Sequence, residues 1–138
     1  MRAGMEKGAM AMFHYTVETT KSVEEAIAAL GEALKEHRFG ILWQLDLTET
    51  LRSKGLAMDR PYRVLEVCNP HEAKAAVDTA VEAGYFLPCK IVVYEDGGKT
   101  KIGLPKPPVL MDLVERPELR PIAERVEQAL IQAIEAAK

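Results

Sequence analysis

Two cysteines, three histidines, one tryptophan and 6% aromatic residues are all the thiol, imidazole and large-ring chemistry that this chain carries in 138 residues. That scarcity excludes a disulfide-stapled scaffold, and it excludes a structural zinc module, which would show paired short ligand spacings. An excess of charge of one sign is missing as well. The 18 basic and 21 acidic residues leave −3 at pH 7 with no run of Lys or Arg, so no nucleic-acid partner is expected. No apolar run approaches the roughly 20 residues of a membrane span, and the N-terminus lacks the apolar core of a signal peptide. The expectation is a cytoplasmic protein with no membrane partner, its thiols reduced rather than bridged. Gly97-Gly98 reads as a turn, and no Gly-x-Gly-x-x-Gly opens a helix, so nucleotide binding has no support.

With 48% hydrophobic residues, the chain suits one domain that buries roughly two thirds of its unfolded surface. Residues 1–12, rich in Gly, Ala and Met and without periodicity, read as a flexible tail ahead of a single domain over 13–138. Residues 13–19 alternate Phe13, Tyr15 and Val17 against His14, Thr16 and Glu18, the mark of a half-buried strand. Ser22, with Glu25 three residues on, then caps a helix whose stripe is Val23, Ile27, Leu30, Leu34 and His37. His37 sits near the helix end, where a cation is favoured; it reads as a cap or partly buried histidine, with a ligand or base as the functional alternative.

In the next strand, residues 41–47, Ile41, Trp43, Leu45 and Leu47 share one face by alternation, which assigns the only Trp to the core. Asp46 needs donors, either by capping the short helix that starts near Thr48 or by facing a site. At the other end of the chain, three prolines around Pro105 make a rigid loop, and a short helix ends at Pro117. A last helix then carries Leu119, Ile122, Val126, Leu130 and Ile134 at helical spacing.

The centre of the chain is a strand, a capped helix and a second strand over residues 63–95, with both cysteines at the joints. Asn69 is a good N-cap with Pro70 at the first helical position, and Ala73, Ala76, Val77, Ala80 and Val81 recur at helical intervals until Gly84. Asp96-Gly97-Gly98 signals a hairpin into residues 99–104. Cys68 therefore ends one strand just ahead of a helix N-terminus, whose N–H groups and dipole favour thiolate, and Cys89 begins the next strand. Plain packing is the alternative for both, since buried thiols are often inert. Cys68 and His71 have a spacing that can serve a metal, completed by Cys89, His37 or His14, yet no metal ligand set is assigned.

Cys68-Asn69-Pro70 after a hydrophobic strand, Leu87-Pro88-Cys89 some twenty residues on, and Phe39-Gly40-Ile41-Leu42 with Asp46 together resemble the domain-of-unknown-function family 302 (DUF302). The likeness runs over about residues 13–134. It implies an α+β fold similar to the TATA-binding-protein class and makes a homodimer unsurprising; it implies no activity, because fold does not transfer function.

The expected order is β-α-β-(α)-β-α-β-β-(α)-α: an α+β fold with a mostly antiparallel sheet of about five strands and helices packed on one face. The other face, expected to present Leu42, Gln44, Val92 and Tyr94, suggests a dimer or ligand surface. Three functional readings follow. The first is a homodimeric ligand-binding or adaptor module with a pocket at the strand ends formed by Cys68, Asn69, Cys89, Asp46 and His37. The second is a thiol-redox or sulfur-handling protein in which Cys68 and Cys89 are the catalytic candidates. The third is metal or haem binding through thiol and imidazole ligands.

Overall fold

A computed structural model describes residues 9–10 and 12–138. It contains one six-stranded sheet in the order β1-β2-β6-β5-β4-β3, with every neighbouring pair antiparallel. The strands are β1 (Ala9–Met10), β2 (His14–Thr19), β3 (Gly40–Asp46), β4 (Tyr62–Cys68), β5 (Cys89–Asp96) and β6 (Lys99–Pro105). Of the tail expected over residues 1–12, residues 1–8 and 11 lie outside the described residues, while Ala9 and Met10 pair with Thr16 and Tyr15. The other five strands are those that alternation and turn chemistry predict. Asp96 pairs with Lys99 across Gly97 and Gly98, both at positive φ, where a side chain would be strained.

The helices are α1 (Val23–Lys35), α2 (Leu47–Ser53), α3 (Pro70–Thr79), α4 (Pro107–Asp112) and α5 (Arg120–Ala137), with 3-10 turns at Val81–Phe86 and Pro117–Leu119. Ser22 and Glu25 form the reciprocal capping box that starts α1. Helices α1 and α5 lie side by side on one sheet face. Leu30, Leu34, Leu130 and Ile134 from the helices meet Val17, Leu65, Val67, Ile91, Val93 and Ile102 from the strands, all fully buried. Each such side chain contributes about 1.5–3 kcal/mol by leaving water. A second, smaller cluster of Ala76, Ala80, Ala83, Met111, Leu119 and Ala123 joins α3, α4, both 3-10 turns and the start of α5 beyond the sheet end.

Two local expectations are corrected. The helix after Asn69 ends at Thr79 rather than running to Gly84: Ala80 is extended at φ −153° and ψ 119°, and a 3-10 turn follows. The break turns Ala80 and Ala83 into the second cluster and leaves Val81 73% exposed, so Val81 is not on the buried face. The second correction concerns Trp43. Ile41 pairs with Val67, but Trp43 pairs with Glu66, so the register slips by one residue at Leu42. A bulge reverses the alternation beyond it. Ile41 still packs against the core, whereas Gln44 and Asp46 now share the side of Leu65 and Arg63, and Trp43 and Leu45 share the side of Glu66 and Val64. The tryptophan is half exposed on the open face, and Gln44 leaves that face to accept from the Arg63 guanidinium at 3.1 Å.

Candidate functional site

Cys68 and Cys89 are brought together by strand register. Val67 pairs with Cys89 and Gly40 with Cys68, so the last residue of β4 and the first of β5 meet at one end of the sheet. Asn69 turns the chain there. Its Oδ1 accepts from the backbone N–H of His71 at 3.0 Å and of Glu72 at 3.3 Å, and its Nδ2 donates to the His37 carbonyl at 3.4 Å. One side chain thus caps α3 and ties its start to the turn that follows α1.

Both cysteines line an apolar cavity of about 30 Å³, together with Met111, Leu119 and Ala123 of the second cluster. That volume takes two or three atoms of water size, since a single water needs roughly 10–15 Å³ by the same measure. Cys89, Leu87, Pro107 and Met111 also line a groove of about 250 Å³ that runs outward past Tyr85 and the Glu66–Lys90 ion pair. Cys89 and Met111 line both spaces, whereas Cys68 lines only the smaller one. The peptide bond between Leu87 and Pro88, just ahead of Cys89, is cis.

The electrostatics run against the expected thiolate. Burial pushes the Cys68 thiol up from its ordinary value, and it pushes Cys89 up to about 11, with the neighbouring Cys68 adding to the effect. At this joint the shift of Cys68 follows from the loss of water. Both cysteines are free thiols.

The other expected pocket residues divide. Asn69 lines the cavity with the thiols, and His37 reaches the site only through its backbone carbonyl. Asp46 lies at the opposite end of β3, where its Oδ1 accepts from the Glu49 N–H at 3.0 Å and its Oδ2 pairs with Arg63 at 3.2 Å. It is the N-cap of α2, the capping role that its sequence position allows. His71 is an exposed residue of α3, and His14 Nδ1 lies 2.8 Å from Thr16 Oγ1 on the first long strand. Among the described residues no three His, Cys, Asp or Glu side chains are grouped to hold a metal.

Sequence reasoning missed Met111 and the pair of Glu72 and Arg125. Met111 falls in a short helix of a proline-rich loop, where no spacing links it to the cysteines. Glu72, also at the cavity, accepts two hydrogen bonds from Arg125 at 2.8 and 3.0 Å, which hold its carboxyl below the usual glutamate value. Only the acid and base themselves, 53 residues apart, were visible beforehand.

These features define an α+β protein in which helices back one face of an antiparallel sheet and two free thiols meet at a small apolar cavity. Within that class, the chain belongs to the family described as Domain of unknown function DUF302, which matches residues 15–137. Among solved structures it is similar to the crystal structure of an uncharacterized conserved protein DUF302 from Bacillus stearothermophilus. The two share 45% sequence identity with a TM-score of 0.90, over 93% of this chain and 100% of that one. No curated protein matches the chain.

Proposed function

We propose that this protein is a homodimeric ligand-binding module that holds a small ligand at the cavity shared by Cys68 and Cys89. The observation that carries the reading is the convergence of both thiols, from different strands, on one apolar space that adjoins a larger groove. A buried apolar site with few polar groups is the ordinary form of a ligand pocket, and its size here restricts the ligand to a very small group. The thiol-redox alternative uses the same two residues, but the upward shift of both thiols weighs against a nucleophile at neutral pH.

Dimerisation uses the open sheet face. Trp43, Leu45, Val64 and Val92 lie on it, beside Tyr62 and Tyr94, whose rings stack at 5.1 Å. Its charges are already paired, Glu66 with Lys90 and Asp96 with Lys101, so it offers no unbalanced charge to select an acidic or basic partner. A neutral, apolar-centred face of this kind suits a second copy of itself. Five strands spaced about 4.8 Å apart, each about seven residues long, give roughly 550 Å² per copy. Two copies then bury about 1,100 Å², the lower bound for a specific interface.

Two measurements test the reading. Sedimentation of the full chain is expected to give a dimer that Trp43→Glu converts to monomer without loss of fold. Native mass spectra are expected to show a bound mass that the Cys68→Ser/Cys89→Ser double variant lacks. A wild-type monomer overturns the dimer, and identical spectra for the two proteins overturn the site.

A further inference from the structure

We infer that the ligand of this cavity is a monovalent soft metal ion, Cu(I) in chemical class, held by the sulfurs of Cys68, Cys89 and Met111. The inference deepens the ligand-binding reading and rests on it.

Three sulfur-bearing residues from three elements, β4, β5 and α4, line a space of about 30 Å³. Thiolate and thioether donors are soft, and together they favour Cu(I) over divalent ions that prefer nitrogen or oxygen. The remaining lining is almost wholly apolar, which removes the hard ions. Calcium and magnesium need about six or more oxygen ligands, and a structural zinc needs a fourth strong ligand. Glu72 carries the one carboxylate among the lining residues, and both of its oxygens are taken by Arg125. No histidine lines the cavity: His71 is exposed on α3, and His37 contributes a backbone carbonyl to Asn69. Sulfur is the donor this space offers.

Charge agrees with that assignment. When Cu(I) binds, it releases the ligands that carried it, the two S–H protons leave to solvent, and two Cu–thiolate bonds and one Cu–thioether bond form, with no change of oxidation state. The complex carries one net negative charge, because two thiolates outweigh one cation and the thioether is neutral. It lies against the N-terminus of α3, a ten-residue helix whose dipole favours an anion there. The groove adjoins the cavity at Cys89 and Met111, which line both spaces.

The test is anaerobic competition for Cu(I), supplied as its acetonitrile complex, between the reduced full-length chain and a chromophoric chelator such as bicinchoninate. The expected result is one ion withheld per chain. Cys68→Ser and Cys89→Ser should each lose more affinity than the roughly 10- to 100-fold typical of outer-shell substitutions. Met111→Leu, which conserves volume, should give a smaller but measurable loss, and far-UV circular dichroism shows that each variant is folded. Failure of the wild type to withhold copper, or full retention by the double cysteine variant, overturns the inference; unchanged affinity in Met111→Leu overturns the three-sulfur site. A chain that ignores copper yet shows a cysteine-dependent bound mass in native spectra keeps the ligand-binding reading, and a chain that shows neither loses both.

Discussion

Asn69 is where the site and the fold share one side chain, and its replacement separates two contributions that the geometry superimposes. Asn69→Ala removes the acceptor for the His71 and Glu72 N–H groups and the donor to the His37 carbonyl. Loss of an N-cap costs about 1 kcal/mol, within a range of roughly 0.5–2. The bond to His37, at 3.4 Å, is long and adds no more than about 0.5 kcal/mol. The expected total is about 1.5 kcal/mol. For a chain of this size that corresponds to a fall in Tm of roughly 5 °C. Asn69→Asp keeps the acceptor and loses only the donor, and its charge at the helix N-terminus returns about 0.3–1 kcal/mol. It should therefore unfold within a degree or two of wild type. The assay is thermal unfolding followed by circular dichroism at pH 7, with Cys68 alkylation measured on the same samples. The Ala variant should expose Cys68 to reagent as the α3 start frays, and the Asp variant should not. Equal losses in the two variants would refute the reasoning, because the cap acceptor would then contribute nothing.

Gly103 is buried on the open side of β6, where an added Cβ would lie 2.7 Å from Thr16 Oγ1. Gly103→Ala should cost about 1–3 kcal/mol by overpacking, and adding Thr16→Ala should recover much of it; additive losses in chemical denaturation would show that the clash is not the cause. The thiols should resist small alkylating reagents at neutral pH, Cys89 becoming reactive only near pH 11 and Cys68 at lower pH but above its ordinary value; fast Cys68 alkylation at pH 7 would contradict the burial. Glu72 has a folded pKa below its ordinary 4.5, chiefly through its hydrogen bonds from Arg125, so its contribution is present above that value and is lost as pH falls through the folded value. Glu72→Gln should accordingly flatten the acid limb of stability against pH, and an unchanged acid limb would show that the pair does not contribute. Tyr15 runs in the opposite sense: burial first, and then the hydrogen bond to Glu135, raise it to about 12, so its contribution fades as pH rises from 10 towards 12 and Tyr15→Phe should flatten that alkaline limb.

Much of the fold was legible because its signals are local. The Ser22 and Glu25 box, the Asn69-Pro70 start and the Gly97-Gly98 turn each act within a few residues, and each fixes the end of an element. Alternation and helical spacing then supply the core faces of β2, α1 and α5. The thiol site was half legible for the same reason: Cys68 and Cys89 sit at strand ends that hydrophobic patterning can place, but the wall opposite them comes from α4 and α5, and no local signal aligns Met111 or Leu119 with a cysteine. The direction of the thiol shifts was also hidden. A helix N-terminus can be read from Asn69-Pro70, whereas the desolvation that raises the thiols depends on which distant side chains exclude water.

Trp43 shows how one residue changes a functional reading. Strict alternation through β3 places it in the core with Ile41; the bulge at Leu42 reverses the strand beyond that point and delivers the largest side chain to the open face. No turn residue or glycine marks the slip at Leu42, so pattern alone cannot find it. The exchange also accounts for the residues that replace it. With the alternation reversed, Asp46 faces the covered side and can reach both the α2 N-terminus and Arg63, and Gln44 follows it to the same guanidinium. A regular strand would bury Trp43 and turn Asp46 and Gln44 out to solvent, leaving Arg63 without either partner. The bulge therefore satisfies the covered end of β3 and, by the same shift, gives the open face the aromatic centre that a second copy would cover.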